Sequence, residues 1–159
     1  MSALIQRRVT GRMEGDFVVF LIGMRINRWW KIHRWLPAAR TMPRMLSELE
    51  QHPELGYLGG EAWFGRTTIL MSYWRSMDQL LAYAKSRDGE HLPAWRAFNK
   101  AIGTSGDLGI WHETYRVHPG DYESMYVNMP AFGLGKVGQL LDAHGARETA
   151  AGRLTAVQP

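Results

Sequence analysis

The sequence predicts an α+β fold of the ferredoxin-like kind, a β-α-β-β-α-β unit whose antiparallel sheet carries its helices on one face. Three observations predict it. Residues 16–26 and 107–117 are β-rich runs lying on either side of the centre of the chain. Between them, residues 56–64 and 67–74 form two apolar or alternating runs separated by Gly65-Arg66, a connection short enough to close an antiparallel hairpin. Each remaining gap holds apolar residues at helical spacing.

The elements follow in order. Residues 1–15 are polar and expected to form an arm ordered only by contact with something else. In 16–26, alternation puts Phe17, Val19, Leu21, Gly23 and Arg25 on one face, and Val18, Phe20, Ile22, Met24 and Ile26 on the other. Both faces are largely apolar, so this strand should be covered on both sides. From Ala38, the residues Met42, Leu46 and Leu49 recur at helical spacing until His52-Pro53 ends the run. Pro43 within it implies either that the regular helix starts near that residue or that the helix is kinked. Ser76-Met77-Asp78 opens a second helix with Leu80, Leu81 and Tyr83, interrupted at 86–89 and resumed from His91 to Asn99. Residues 107–117 and 122–129 read as the closing strands, 137–143 as a short helix and the remainder as a mobile tail. The expected organisation is an arm (1–15), one domain (16–142) and a tail (143–159).

Composition limits the chemistry. The 159 residues suit a single domain, and the absence of cysteine removes disulfides, thiolate nucleophiles and Cys-based metal sites, which is compatible with a cytoplasmic location. The longest apolar run, Phe17 to Met24, falls short of the roughly 20 residues that span a bilayer. No membrane span and no signal peptide are expected. The net charge of +4 comes largely from arginines at 7, 8 and 12 and between 25 and 44, where Arg28, Lys31, Arg34 and Arg40 interleave with Trp29, Trp30 and Trp35. Such a segment suits nucleic acid, a membrane surface or an aromatic wall. No nucleic-acid recognition motif accompanies it, so no nucleic-acid partner is expected. No Gly-rich dinucleotide fingerprint follows a strand, which argues against a Rossmann-type flavin or nicotinamide site.

The candidate functional residues sit largely on strand ends and tryptophans. In 109–117, Ile110, His112, Thr114 and Arg116 share one face, while Trp111, Glu113 and Tyr115 share the other. His112 can take a proton from an acidic phenol or enol, the activation step of a cofactor-free oxygenase. Glu113 cannot orient it within one strand. Arg25, a second catalytic candidate, and Asn27 could hold an anionic oxygen of substrate or peroxide, the duller alternative being a salt bridge from Arg25 to Glu61 or Glu113. Trp63, Trp95 and Trp111 offer flat walls for a hydrophobic aromatic or polyketide-like substrate, Trp74 falls on a predicted strand, and Tyr73 could add a hydroxyl. Core packing uses the same residues. A two-histidine, one-carboxylate iron site fails on spacing, so no metal is expected.

Four segments in order carry a family resemblance: Gly23-Met24-Arg25-Ile26-Asn27 with Trp29-Trp30, Tyr73-Trp74-Arg75-Ser76, Glu90 to Phe98 with its His91-Leu92-Pro93-Ala94-Trp95 core, and Gly109 to Tyr115. Together they resemble a family of small bacterial and fungal proteins, formerly a domain of unknown function, now grouped with the fumagillin-pathway monooxygenase. The resemblance implies a dimeric α/β barrel, in which two ferredoxin-like units pair their sheets and each encloses a pocket between sheet and helices, and a monooxygenase role, often in secondary metabolism. The wider superfamily also contains haem enzymes, among them monooxygenases and aldoxime dehydratases. In its haem-binding branches a helix histidine ligates iron, and His91, with Trp95 at i+4, is the residue here for haem. A third alternative is a non-catalytic binding or stress-response homodimer.

Overall fold

The computed structural model describes residues 3–85, 103 and 105–156. Its centre is a four-stranded antiparallel sheet made of β2 (Phe17–Ile26), β3 (Tyr57–Trp63), β4 (Ile69–Trp74) and β5 (Leu108–Val117), in the order β3-β4-β2-β5. This is the ferredoxin-like order, with the first strand of the unit between its third and fourth. A separate two-stranded ladder joins β1 (Val9–Arg12) to β6 (Gln139–Asp142).

Helices α1 (Ile32–Ala39), α2 (Thr41–Gln51) and α3 (Met77–Lys85) lie against the face of β2 that carries its even-numbered residues. Leu49 of α2 and Leu80 and Tyr83 of α3 pack with Val18, Tyr57 and Trp74, while Ala38 and Trp35 of α1 meet Met24, Ile26 and Leu108. Trp74 is 2% exposed and stacks against both Tyr57 and Tyr83. Truncating such a residue costs about 3–5 kcal/mol, which makes this ring the anchor of the helical side. The opposite face is covered at one end, where Phe17 and Tyr73 meet Tyr122, Val137 and Leu134, the last two from the short helix α4 (Leu134–Val137).

Several expectations change. Residues 9–12, placed in an arm, form a strand because the chain itself supplies the partner, Gln139–Asp142. That partner was expected to be helical; the helix instead stops at Val137, before the extended Gly138. Residues 122–129 make isolated bridges, Val9 to Tyr126 and Ile5 to Met129, rather than a regular strand. The tail contains α5 (Ala150–Thr155), capped by the Thr149 hydroxyl and tied back by Arg153 Nε to Glu123 Oε2 at 2.7 Å. The helical region after the first strand divides into two, and Pro43 falls in the first turn of α2, where its missing N–H is harmless.

The loop between β2 and α1 is stapled to the start of β5. The Asp107 carboxylate, 1% exposed, accepts from Arg28 Nη1 and Lys31 Nζ, each at 2.9 Å on its closest oxygen. The Lys31 hydrogen bond, helped by Ser105 and Arg28, holds its pKa below the usual carboxylate value against the opposing effect of burial. A depressed carboxyl pKa contributes stability that is fully present above the unfolded value, about 3.9, and is lost as pH falls through the folded value. Thermal unfolding is therefore expected to show a melting temperature insensitive to this group down to about pH 4 and a decline below it. Asp107→Asn should lower the melting temperature at pH 7 and shrink the acid decline; an unchanged acid limb would remove Asp107 from its cause.

Candidate functional site

Between the even face of the sheet and helices α2 and α3 lies a cavity of about 340 Å³. Its floor is Phe20 and Ile22 from β2, Leu70, Ser72 and Trp74 from β4, and His112 and Thr114 from β5. Its roof is apolar, with Met42, Met45, Leu46 and Leu49 from α2 and Leu80, Leu81 and Tyr83 from α3. The volume falls within the range of small-molecule sites, and the lining has their usual character: apolar walls with few polar groups. A smaller cavity of about 50 Å³ shares Ile22, Met42, Met45 and Leu70 with it and reaches Trp63 and Phe64.

The polar groups differ in what they can still do. Ser72 Oγ donates to Phe20 O at 3.0 Å and accepts from Trp74 Nε1 at 3.1 Å, so it already has work on both sides. The Tyr83 hydroxyl meets Glu48 Oε2 at 3.4 Å, and burial, then Glu48, pushes its pKa well up, keeping it a neutral phenol. His112 stands opposite Ile22 on the edge strand, its ring 6.1 Å from that of Phe20. Imidazole is the one side chain of the lining whose ordinary chemistry is proton exchange near neutral pH.

Among the described residues, Arg25, Asn27, Trp63, Tyr73 and Trp111 do not line this cavity. Arg25 lies on the odd face of β2, on the opposite side of the sheet from His112, and its Nη1 donates to Thr67 Oγ1 at 3.0 Å rather than pairing with Glu61 or Glu113. Trp111 and Tyr73 share that odd face. The Tyr73 ring packs against Phe17, and burial, then Tyr126, pushes its pKa up to about 12. The buried Trp111 Nε1 has no hydrogen-bond partner among the described residues. Asn27 donates from Nδ2 to Gly106 O at 3.1 Å and thereby holds the approach to β5. Trp63 borders the smaller cavity and meets the Phe132 ring edge-on. Glu61 pairs with Lys136, and Glu113 accepts from the Tyr115 hydroxyl at 2.5 Å. His91 and Trp95 lie outside the described residues.

Sequence reasoning left Phe20, Ser72 and Thr114 out of the site, and with them the roof of α2 and α3. Strand parity was the available signal. Phe20, Ser72 and Thr114 are register partners across three strands, so fixing one of them inside the cavity fixes all three.

The sheet order and the one-sided helices define an α+β scaffold of the ferredoxin-like class, with an apolar cavity under the helices that is partly open to solvent. Within that class the chain belongs to the monooxygenase af470-like family, whose model matches residues 17–134. Monooxygenase af470 of Aspergillus fumigatus is 28% identical over 132 residues, covering 77% of this chain and 46% of that protein. The chain thus spans about half the length of this curated relative. Among solved structures, it is similar to SnoaB, a cofactor-independent oxygenase from Streptomyces nogalater, with a TM-score of 0.47 and 12% identity over 65% of this chain and 94% of the other. It is also similar to a conserved protein of unknown function from Bacteroides thetaiotaomicron, with a TM-score of 0.41 and 13% identity over 65% and 100% of the two chains. Among the described residues, no helix is long and apolar enough to cross a membrane, and no cluster of three or more metal-ligating side chains occurs.

Proposed function

We propose that this protein is a monooxygenase for a hydrophobic aromatic or polyketide-like molecule, working without flavin or nicotinamide, with His112 as general base. The observation that carries the reading is the apolar 340 Å³ chamber with an imidazole on its floor. Membership of a monooxygenase family supports it. His112 removes a proton from a carbon or hydroxyl made acidic by the aromatic system. The resulting anion passes one electron to dioxygen, and the two radicals combine into a carbon-bound peroxide. Returning the proton to that peroxide and losing the second C–H hydrogen breaks the O–O bond, which leaves a C=O group and releases one water. A CH2 group and O2 thus become C=O and H2O, with every electron drawn from the substrate.

The reading includes a homodimer. Tyr115, on the odd face of the edge strand β5, is 50% exposed, and its neighbour on that face, Glu113, is exposed as well. A second copy would cover such a face, and sedimentation at micromolar concentration giving the mass of one chain would remove this part of the reading. The activity is tested by oxygen uptake with acidic polycyclic phenols under 18O2, using protein purified free of flavin and metal. One 18O atom in the product and one in water is expected. Binding of these phenols without oxygen uptake would leave a carrier in place of an enzyme.

A further inference from the structure

At one end of the sheet the structure displays aromatic side chains to solvent on a braced loop. Trp29 is 66% exposed and Trp30 61%, in the connection from β2 to α1, and Ile32, the first residue of α1, is 52% exposed. Phe64, 71% exposed, joins them from the β3–β4 turn, which is fastened to the end of β2 by Ile26 N donating to Arg66 O at 2.8 Å. The backbone beneath the two indoles is held at several points. Arg28 and Lys31 flank the pair and both bind the buried Asp107, while Trp35 Nε1 donates to Trp29 O at 2.8 Å. A loop so braced, with its largest apolar groups left in water, is built to present them.

Charge indicates what they meet. Residues 17–47 contain six Lys or Arg and no Asp or Glu, although the whole chain has 15 acidic residues. Asp107 is contacted by two of the six, Arg28 and Lys31; Arg34 and Arg40 are exposed. Indoles beside cations, on a short apolar ridge, match the headgroup region of an anionic bilayer, where Trp sits at the interface and Arg meets phosphate. The Trp29 and Trp30 rings meet edge to face, at 83° and 6.3 Å, which does not provide the parallel platforms on which successive bases stack.

We propose that Trp29, Trp30, Ile32 and Phe64, with Arg34 and Arg40, form a docking surface for an anionic membrane. Phe64 also borders the smaller cavity, which shares four lining residues with the main chamber, so docking would place a lipid-dissolved molecule near an entrance. The proposal stands on the surface alone and does not depend on which reaction occurs inside.

The test is flotation of the full chain with vesicles of phosphatidylcholine containing 30% phosphatidylglycerol, against pure phosphatidylcholine, at low and high salt. Binding only to the anionic vesicles, weakened by salt, is expected. Arg34→Glu and Arg40→Glu should each weaken it by about fivefold or more, and Trp29→Ala/Trp30→Ala should abolish it with the melting temperature unchanged. Wild-type protein that remains unbound, or a double-Trp variant that binds as wild type, overturns the proposal. So does binding of single-stranded RNA that competes the vesicles away, or a double-Trp variant that changes the oligomeric state, since the patch would then serve another partner.

Discussion

His112→Ala is expected to lower kcat by about 10²–10⁴-fold, the usual contribution of a positioned general base, with KM little changed. The variant should fold normally. His112 lies on an edge strand, paired on one side to β2, and its removal exposes no buried partner. Steady-state oxygen uptake and a thermal melt measured together decide the matter. Turnover within a few-fold of wild type would take proton removal away from His112. A large drop in melting temperature would make the residue structural. Arg25→Ala serves as the contrast: it faces away from the chamber, so its effect on kcat should be small.

Gly23→Ala should be among the most destabilising single substitutions in the sheet, by about 3 kcal/mol or more. A Cβ at this position would lie 1.9 Å from Thr68 O and 2.8 Å from Trp111 Nε1. Neither neighbour can easily withdraw. Thr68 donates its N–H to Met24 O at 2.8 Å, and its hydroxyl accepts from Met24 N at 2.9 Å, so displacing its carbonyl breaks the contact between β2 and the start of β4. Urea denaturation should show the midpoint falling with an unchanged slope. A midpoint equal to that of the wild type would mean that the turn carrying Thr68 yields freely.

The order of the ferredoxin-like unit was legible because its strands alternate and its hairpin is short. Parity along β5 was legible as well, and it sets His112 and Thr114 on one face and Trp111 on the other. Which face the helices cover was not legible. On β2 the set Val18, Phe20, Ile22 and Met24 is as apolar as Phe17, Val19 and Leu21, so periodicity alone gives two equivalent sides. Arg25, Tyr73 and Trp111 became pocket candidates through that ambiguity, and the register to β4 and β5 places all three on the side away from the chamber. The β1–β6 ladder was hidden for another reason. Each strand is four residues long, too short for a period to register, and its partner lies near the opposite end of the sequence.

That ladder has a consequence for the order of assembly. Its residues are brought together across nearly the whole polypeptide, with Arg7 reaching Asp142 over a separation of 135 positions. The entropy of closing so long a loop opposes the pairing until β2, β4 and β5 have already drawn the intervening chain together. The ladder is then a late latch on a preformed sheet, and its amide protons should exchange with solvent sooner than those at the centre of β2.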